Sequence, residues 1–174
     1  MNDHSGAGIN RVLIRSMQVE DLSAVREIDQ LSFSLPWPES AFAYELHENP
    51  GSLLWVAEAI DSIGAVVIVG MIVVWLIVDE THIATIAVHP DYRGQGISKA
   101  LMKAALNETI RRGFNIATLE VRANNKTAQN LYRRFGFEIV GGRPRYYRDN
   151  NEDALIMTVK GLDLQYLDWM NANL

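Results

Sequence analysis

The stretch between Thr81 and Lys99 holds the residue types best suited to binding a ligand. Its first part reads as a β-strand that ends at Val88, and a helix is expected from Gly96. Gly94 and Gly96 allow a sharp turn in which successive backbone N–H groups and the positive end of the helix dipole converge. Such a point suits a phosphate group. Most loops of this composition use their glycines for backbone geometry alone, so the local chemistry leaves both interpretations open.

Other common ligand motifs are absent from the sequence. No glycine-rich loop closes in Gly-Lys-Ser/Thr, and no GxGxxG fingerprint follows the first predicted strand. His82 and His89 flank one strand without the spacing of a metal pair, and there is no HExxH motif, so no metal is predicted and both are interpreted as surface or strand-end residues. The chain has no cysteine, which excludes disulfides, thiolate metal sites and a cysteine acyl-enzyme.

The elements that position the loop are predicted from hydrophobic periodicity and turn residues. They give the order β-α-α-β-β-β-α-β-α-β-β, an α/β domain with a mixed sheet. Strands are predicted at residues 9–15, 53–60, 65–78, 81–88, 115–122, 137–141 and 154–159, and helices at 20–33, 38–46, 96–112 and 127–135. The third and fourth strands form an antiparallel hairpin with an Asp79-Glu80 turn. Residues 143–148 are expected to be a loop.

One apolar run could belong to a membrane or to a core. Residues 63–78 are 16 uncharged residues, short of the roughly 20 that span a bilayer as a helix. The run is rich in Val and Ile, which favour strands, so a central strand buried on both faces is predicted and no membrane partner is expected. The N-terminus lacks the features of a secretory signal, and the cytoplasm is the expected compartment.

The net charge of −5 argues against a general nucleic-acid binder. Residues 1–87 carry 3 Lys/Arg against 12 Asp/Glu, whereas residues 88–174 carry 13 against 9. An anionic ligand would prefer the second half, although a solvated basic face would give the same balance. Arg143, Arg145 and Arg148 could contact RNA, but three arginines in one loop are more often solvated, so no direct nucleic-acid binding is expected.

Several motifs together resemble the GNAT superfamily of acetyl-CoA-dependent N-acyltransferases. Residues 93–98, Arg-Gly-Gln-Gly-Ile-Ser, match the Arg/Gln-x-x-Gly-x-Gly/Ala pyrophosphate loop, with Ser98 in place of the last small residue. Residues 119–125 and 128–137 resemble the next strand and helix of the family. The early Phe-Ser-Leu-Pro-Trp at 33–37, the late Tyr146-Tyr147 and residues 152–157 narrow the resemblance to the ribosomal-protein-alanine N-acetyltransferase subgroup.

This resemblance covers the chain from about residue 9 to 159 and implies its fold and domain organisation. A single GNAT domain is expected over residues 9–160, with a mixed, mostly antiparallel central sheet flanked by helices. Residues 1–8 are expected to be a flexible N-terminus. The tail, residues 161–174, could be a helix that docks on the domain or on another copy, and the sequence leaves a monomer and a homodimer open.

The resemblance also implies acetyl-CoA as co-substrate and no metal. Family members hold the acetyl and pantetheine part against the backbone of a central strand, which here corresponds to Ile86, Ala87 and Val88. The pyrophosphate loop corresponds to Arg93, Gly94, Gln95, Gly96, Ile97, Ser98 and Lys99. Asn125 matches the family position that contacts the CoA arm.

Amine acetylation needs a neutral amine, a polarised thioester carbonyl and a proton for the leaving thiolate. Glu120 lies between apolar residues in a predicted central strand, where partial desolvation would raise its pKa. Residue chemistry alone allows equally a structural glutamate paired with Arg122. Tyr132 could donate the proton, but its helical stripe also suits a core residue. The resemblance implies that Glu120 is the base and Tyr132 the acid, and the lack of cysteine favours direct transfer in a ternary complex.

Aromatic residues in predicted loops are candidates for an acceptor groove, with peripheral packing as the alternative. The resemblance implies that the acceptor site includes Phe33, Pro36, Trp37, Tyr146 and Tyr147. It also implies that the partner is a protein N-terminus, expected to be that of an alanine-starting ribosomal protein. An acetyltransferase of a small amine (a polyamine, an aminoglycoside or an amino acid) and a non-catalytic acyl-CoA-binding module are the alternatives.

Overall fold

The secondary structure follows the order expected from the sequence. The computed structural model describes residues 11–60 and 63–174; the predicted flexible segment 1–8, the start of the predicted first strand and part of the predicted turn at 61–64 lie outside them. The strands are β1 Val12–Ser16, β2 Ser52–Ile60, β3 Val66–Ile77, β4 Glu80–Val88, β5 Ile116–Arg122, β6 Glu138–Tyr147 and β7 Glu152–Lys160. The helices are α1 Leu22–Ser32, α2 Ala41–His47, α3 Ile97–Arg111, α4 Lys126–Arg134 and α5 Leu164–Asn173.

The strands of the described residues form a mixed sheet in the order β1-β2-β3-β4-β5-β7-β6. Strand β1 is antiparallel to β2, and β7 is antiparallel to both β5 and β6. Strands β4 and β5 are parallel. Strands β3 and β4 are neighbours joined by two residues, a connection that only antiparallel strands permit. The predicted fold class, a mixed and mostly antiparallel sheet flanked by helices, is confirmed.

The long apolar run of the sequence is strand β3. Successive side chains of a strand point to opposite faces, and Val69, Met71, Ile72, Val73 and Val74 are all fully buried. A strand covered on both faces therefore accounts for the lack of polar residues. Within residues 11–60 and 63–174, no helix is long and apolar enough to cross a membrane.

The chain packs as two compact units. The first comprises Met1–Val73 and Thr85–Ala104. In it, α1 contacts α2 and α2 contacts β2, and the large buried side chains include Ile28 and Phe42.

The second unit comprises Val74–Ala84 and Ala105–Leu174. Strand β7 pairs with β5 on one side and with β6 on the other. Its largest fully buried side chains include Phe135, Phe137 and Met157. This unit carries most of the predicted catalytic chemistry.

Helix α4 is anchored by hydrogen bonds at both ends within the second unit. At its start, the Asn125 side chain accepts the Ala128 N–H at 3.0 Å, and buried Gln129 donates to two carbonyls at and just after the end of β5, at 3.1 and 2.9 Å. At its end, the Tyr166 hydroxyl of α5 donates to the Phe135 carbonyl at 2.7 Å. These bonds fix the helix that carries the predicted acid.

Strand β6 departs from the sequence prediction because it continues to Tyr147. The predicted loop 143–148 was wrong, since Arg143 and Tyr147 both pair with residues of β7. The pairing is irregular between them, where Arg145 has a φ of 50° and its N–H donates to the Asp153 carboxylate at 2.7 Å. Pro144 has no N–H for a regular ladder. A bulge shifts the side-chain alternation, which hides such a strand from periodicity.

The turn between β3 and β4 begins one residue before the predicted Asp79-Glu80 turn. It consists of Val78 and Asp79, and Val78 has a φ of 53°. A left-handed backbone costs a residue with a Cβ roughly 1–2 kcal/mol. The Val78 side chain is 95% exposed, so burial does not offset this cost.

Replacing Val78 with Asn, which tolerates this backbone conformation, is expected to raise the free energy of unfolding by roughly 1 kcal/mol. The melting temperature should rise by about 2–4 °C, the shift expected for a chain of this size. Thermal and urea unfolding measure both quantities. Val66→Asn, at another exposed valine of β3, is the control and should give no gain. A V78N protein no more stable than the parent would show that the turn stores no strain.

Candidate active site

Two glycines shape the loop between β4 and α3 in the first unit. Gly94 and Gly96 have φ angles of 78° and 80°, in the left-handed region that glycine adopts without steric cost. An added Cβ at either position would meet no described atom within 4 Å. The turn is therefore built by backbone conformation and leaves its main chain open to a ligand.

Helix α3 presents its first turn at the end of this loop. The carbonyl of Gly96 accepts the Ala100 N–H at 3.1 Å. Ala100 is the first residue whose N–H bonds within the helix, so the N–H groups of Ile97, Ser98 and Lys99 have no acceptor within it. They point where the helix dipole is positive, which is the arrangement that binds anions.

The Arg93 side chain ties the loop to its supports. Its Nε donates to the Val88 carbonyl at 3.0 Å, and its Nη2 to the Ser32 hydroxyl of α1 at 3.2 Å. The His89 N–H donates to the Val69 carbonyl of β3 at 2.9 Å. Arg93, predicted as a cofactor residue, thus also holds the loop against the end of β4.

Gly70 lets the first turns of α3 approach strand β3 closely. A Cβ on Gly70 would lie 3.0 Å from Ile97 Cγ2, 3.1 Å from the Ala87 carbonyl oxygen and 3.2 Å from Leu101 Cδ1. Those distances are too short for ordinary packing, and one of the three neighbours is backbone. The absence of a side chain at Gly70 therefore sets how near the predicted phosphate site lies to the strand.

In the second unit, Glu120 of β5 is held by two basic side chains. Its Oε1 lies 3.0 Å from Arg143 Nη2, and its Oε2 lies 2.9 Å from His82 Nε2. The Glu120 side chain is only 11% exposed. A carboxylate so largely removed from water needs partners of this kind.

The strand register brings His82 to Glu120. His82 pairs with Thr118 across the parallel β4–β5 ladder, and Glu120 lies two residues further along the same face. Diagonal neighbours on one face are within reach of long side chains. The imidazole also stacks on Trp75 of β3, with centroids 5.8 Å apart and planes 19° apart. The interpretation of His82 as a surface or strand-end residue is corrected, because it belongs to the Glu120 cluster.

The structure gives Arg122 partners other than Glu120, the residue that the sequence alternative suggested. It forms ion pairs with Asp149 at 2.8 Å and Glu152 at 3.2 Å, and its guanidinium lies 3.9 Å from the centroid of the Tyr147 ring. Burial raises the pKa of Tyr147 to about 12, with Arg122 opposing the shift and the charge of nearby Glu120 adding to it. Tyr147 is therefore a neutral phenol close enough to Glu120 to sense its charge.

Tyr132 lies on α4 and is buried. Burial raises its pKa above the ordinary value for tyrosine, and Tyr147 adds to the shift. Its ring packs against Phe137 at a centroid distance of 6.0 Å. The side chain thus has the core packing that the sequence alternative expected, and its phenol holds its proton at neutral pH, as an acid must.

Asp29 holds the segment that contains Trp37 in the first unit. Its Oδ2 accepts the Trp37 N–H at 2.7 Å, while its buried Oδ1 has no hydrogen-bond partner among the described residues. The Trp37 ring stacks on Phe42 with centroids 4.9 Å apart. Phe33 and Pro36 are exposed in the same segment. The sequence alone did not reveal that a buried carboxylate supports this exposed aromatic segment.

Tyr146 and Tyr147 lie on strand β6, not in a loop. Their rings meet edge to face with centroids 5.2 Å apart, and the Arg143 guanidinium lies 5.4 Å from the Tyr146 ring. Because Arg143 also pairs with Glu120, both tyrosines belong to the surroundings of that carboxylate.

The predicted site residues fall into two groups, one in each unit. The first unit carries the cofactor loop and the early acceptor residues, Ile86, Ala87, Val88, Arg93, Gly94, Gln95, Gly96, Ile97, Ser98, Lys99, Phe33, Pro36 and Trp37. The second carries Glu120, Tyr132, Asn125, Tyr146 and Tyr147. Sequence reasoning missed the roles of His82, Arg143, Gln129 and Asp29, because those contacts depend on strand register and burial. The described residues contain no group of three or more His, Asp or Glu arranged to hold a metal ion.

Comparison with known proteins gives consistent similarities. Residues 22–137 match the Acetyltransferase (GNAT) family. The chain is 38% identical, over 86% of its length and 95% of the relative, to the putative [ribosomal protein bS18]-alanine N-acetyltransferase of Bacillus subtilis. It is similar to the crystal structure of the ribosomal-protein-S18-alanine N-acetyltransferase from Escherichia coli, at 31% identity and a TM-score of 0.76 over 87% of this chain and 94% of that one. The NatC complex bound to Gag peptide and CoA shares the fold, at 22% identity and a TM-score of 0.78 over 87% and 99%.

The close approach at Gly70 predicts the effect of adding a methyl group. Gly70→Ala is expected to displace the start of α3, to destabilise the protein by roughly 1–3 kcal/mol and to weaken acetyl-CoA binding several-fold. Calorimetry of acetyl-CoA binding and urea unfolding measure the two effects. Gly141→Ala is the matched control, since its Cβ would lie at an ordinary 3.7 Å from Ile156. Unchanged affinity in a destabilised Gly70→Ala protein would show that the loop does not depend on this contact.

The unpaired Asp29 carboxylate predicts a pH-dependent loss of stability. Burial raises its pKa, although the Trp37 N–H opposes the shift. As pH rises from about 4, the unfolded chain ionises first, so the free energy of unfolding falls until the folded-state pKa is passed. Asp29→Asn keeps the acceptor for Trp37 and cannot ionise, so it should be more stable than the parent at pH 7, by a margin that shrinks towards pH 4.

Urea unfolding between pH 4 and pH 8 checks this expectation. The exposed Asp168→Asn is the control and should give a pH-independent difference. A stability difference between Asp29→Asn and the parent that is equal at every pH would contradict the prediction, because it would show that folding does not raise the pKa of Asp29.

Proposed function

Because the chain belongs to the acetyltransferase (GNAT) family, we propose that it transfers an acetyl group from acetyl-CoA to the N-terminal α-amine of a protein. That it is an acetyl-CoA-dependent N-acetyltransferase rests on the family and on relatives of nearly the same length. The proposed acceptor is a ribosomal protein whose mature chain starts with alanine. The names of the Bacillus and Escherichia relatives support this choice.

The observation that carries the proposed mechanism is the Glu120 carboxylate between Arg143 and His82. The neutral acceptor α-amine attacks the thioester carbonyl, and Glu120 takes the proton that the nitrogen loses as the amide forms. A C–N bond forms as the C–S bond breaks, and the CoA thiolate takes the proton of Tyr132. Solvent exchange then returns a proton to Tyr132 and removes one from Glu120, so the cycle balances.

Tyr132 is protonated at neutral pH, so it can donate its proton to the leaving thiolate. Burial raises the pKa of the phenol, which favours return of a proton from solvent after each turnover. Placement on α4, which is fixed at both ends, would hold the phenol in one position. Catalysis by a positioned acid depends on such geometry.

Acetyl-CoA would be held mainly by the backbone. Strand residues Ile86, Ala87 and Val88 would bond the pantetheine amides, and the loop from Arg93 to Lys99 would surround the pyrophosphate. The left-handed glycines and the first turn of α3 support that assignment. Asn125 would contact the CoA arm with its side-chain NH2, since its oxygen caps α4.

Each group offers aromatic residues suited to binding the acceptor N-terminus. Phe33, Pro36 and Trp37 form the segment held by Asp29, and Tyr146 and Tyr147 surround the Glu120 cluster. Such residues provide an apolar lining with few polar atoms, which suits the first residues of an extended peptide.

Direct transfer in a ternary complex is the proposed kinetic course. No cysteine is available to carry an acetyl group. Sequential kinetics without an acetylated protein in mass spectra would support it. The cytoplasm, where ribosomal proteins are made, is the compartment that this proposal implies.

The proposal predicts which amines are acetylated. CoA release should be fast with a peptide starting in Ala, weaker with Ser, Met or Gly, and abolished when the α-amine is blocked. Spermidine and an aminoglycoside, tested alongside, should give little turnover. Turnover with these small amines alone would replace the proposed acceptor, and acetyl-CoA binding without any turnover would replace the enzymatic function.

Substitution at the two reacting groups tests the mechanism. Glu120→Gln and Tyr132→Phe should each lower kcat by roughly 10²–10⁴-fold, the usual contribution of a positioned acid or base. The KM for acetyl-CoA should change little. Glu138→Gln and Tyr44→Phe, both at exposed positions, are the matched controls. Full activity of either catalytic variant would remove that residue from the mechanism.

A further inference from the structure

His82 stands out because its nitrogen meets the proposed base, although no motif singles it out. Its Nε2 lies 2.9 Å from Glu120 Oε2, and the side chain is only 18% exposed. The approach is fixed twice, by the pairing of His82 with Thr118 and by stacking on Trp75. An imidazole fixed at this distance from a carboxylate can orient it.

We propose that His82 is a positioning residue that fixes the orientation of the Glu120 carboxylate for acetyl transfer. This inference rests on the proposed role of Glu120 as the base. Arg143 at Oε1 and His82 at Oε2 hold one oxygen each, so together they fix the carboxylate in one orientation.

The two partners hold the carboxylate in different ways. Arg143 meets Oε1 with a permanent charge. His82 meets Oε2 with the nitrogen of a ring that strand pairing and stacking keep in place. The orientation of the carboxylate therefore depends on both contacts.

The surroundings of this pair come from neighbouring strands. On β6, Arg143 contacts Glu120 directly and Tyr147 senses its charge. The surface that β3 offers is the uncharged ring of Trp75. Arg143 and His82 are the two ion-pair contacts that the described residues give this carboxylate.

Three proteins test this proposal. His82→Leu removes the N–H. His82→Gln keeps an N–H, since the glutamine amide nitrogen reaches the place of the imidazole Nε2. His47→Leu replaces an exposed histidine at the end of α2 and is the matched control.

The readouts are kcat and the KM for acetyl-CoA at pH 8 on one Ala-starting peptide. His82→Leu should lose roughly ten- to a hundredfold in kcat, the range for a hydrogen bond to a charged group, with the KM for acetyl-CoA nearly unchanged. His82→Gln should recover most of that loss.

Each other outcome has a distinct meaning. If Glu120→Gln is inactive and His82→Leu keeps its kcat, His82 only packs and this inference is wrong while the proposed function stands. If His82→Gln and His82→Leu lose activity equally, the positioning role is overturned. If Glu120→Gln is fully active, the proposed base fails and the inference falls with it. Circular dichroism and melting temperatures confirm folding, and His82→Gln provides the test should His82→Leu fail to fold.

Discussion

A carboxylate that is 11% exposed cannot stay charged in a folded protein without compensation. Glu120 meets this requirement with an arginine from β6 and a histidine from β4, so three strands must hold a fixed register around it. Removing either partner would leave one oxygen of this largely buried carboxylate without its contact, which destabilises the folded protein. The bulged course of β6, the short parallel ladder of β4 and β5, and the stacking on Trp75 all serve this one side chain.

The two units differ in the groups that they offer to a ligand. The first unit offers an anion the main chain of a loop and a helix start, and it needs glycine because side chains there would strain the backbone. The second unit relies on side-chain charges and phenols, whose behaviour depends on what surrounds them. Substitutions should therefore be tolerated differently: conformation limits the loop, whereas partner identity limits the Glu120 cluster.

Much of the fold could be predicted from local patterns, since the apolar run of β3 and the stripe of α4 reflect burial that repeats along the chain. The β6 bulge was missed because Arg145 interrupts the alternation that marks a strand. The partners of Glu120 were missed for another reason. The sequence suggested Arg122, two residues away, but pairing across strands places Arg143 and His82 there instead. Contacts between distant segments leave no periodic trace, so only the register reveals them.

The bond from Tyr166 to the carbonyl of Phe135 joins residues 31 positions apart. During synthesis, helix α4 leaves the ribosome well before the segment that fastens its end. The residues of the phosphate loop and of the described strands all precede Tyr166 and are made before it. Until residue 166 has emerged, the end of the helix that carries Tyr132 lacks this bond, so anchoring of the acid depends on a segment that is synthesised late.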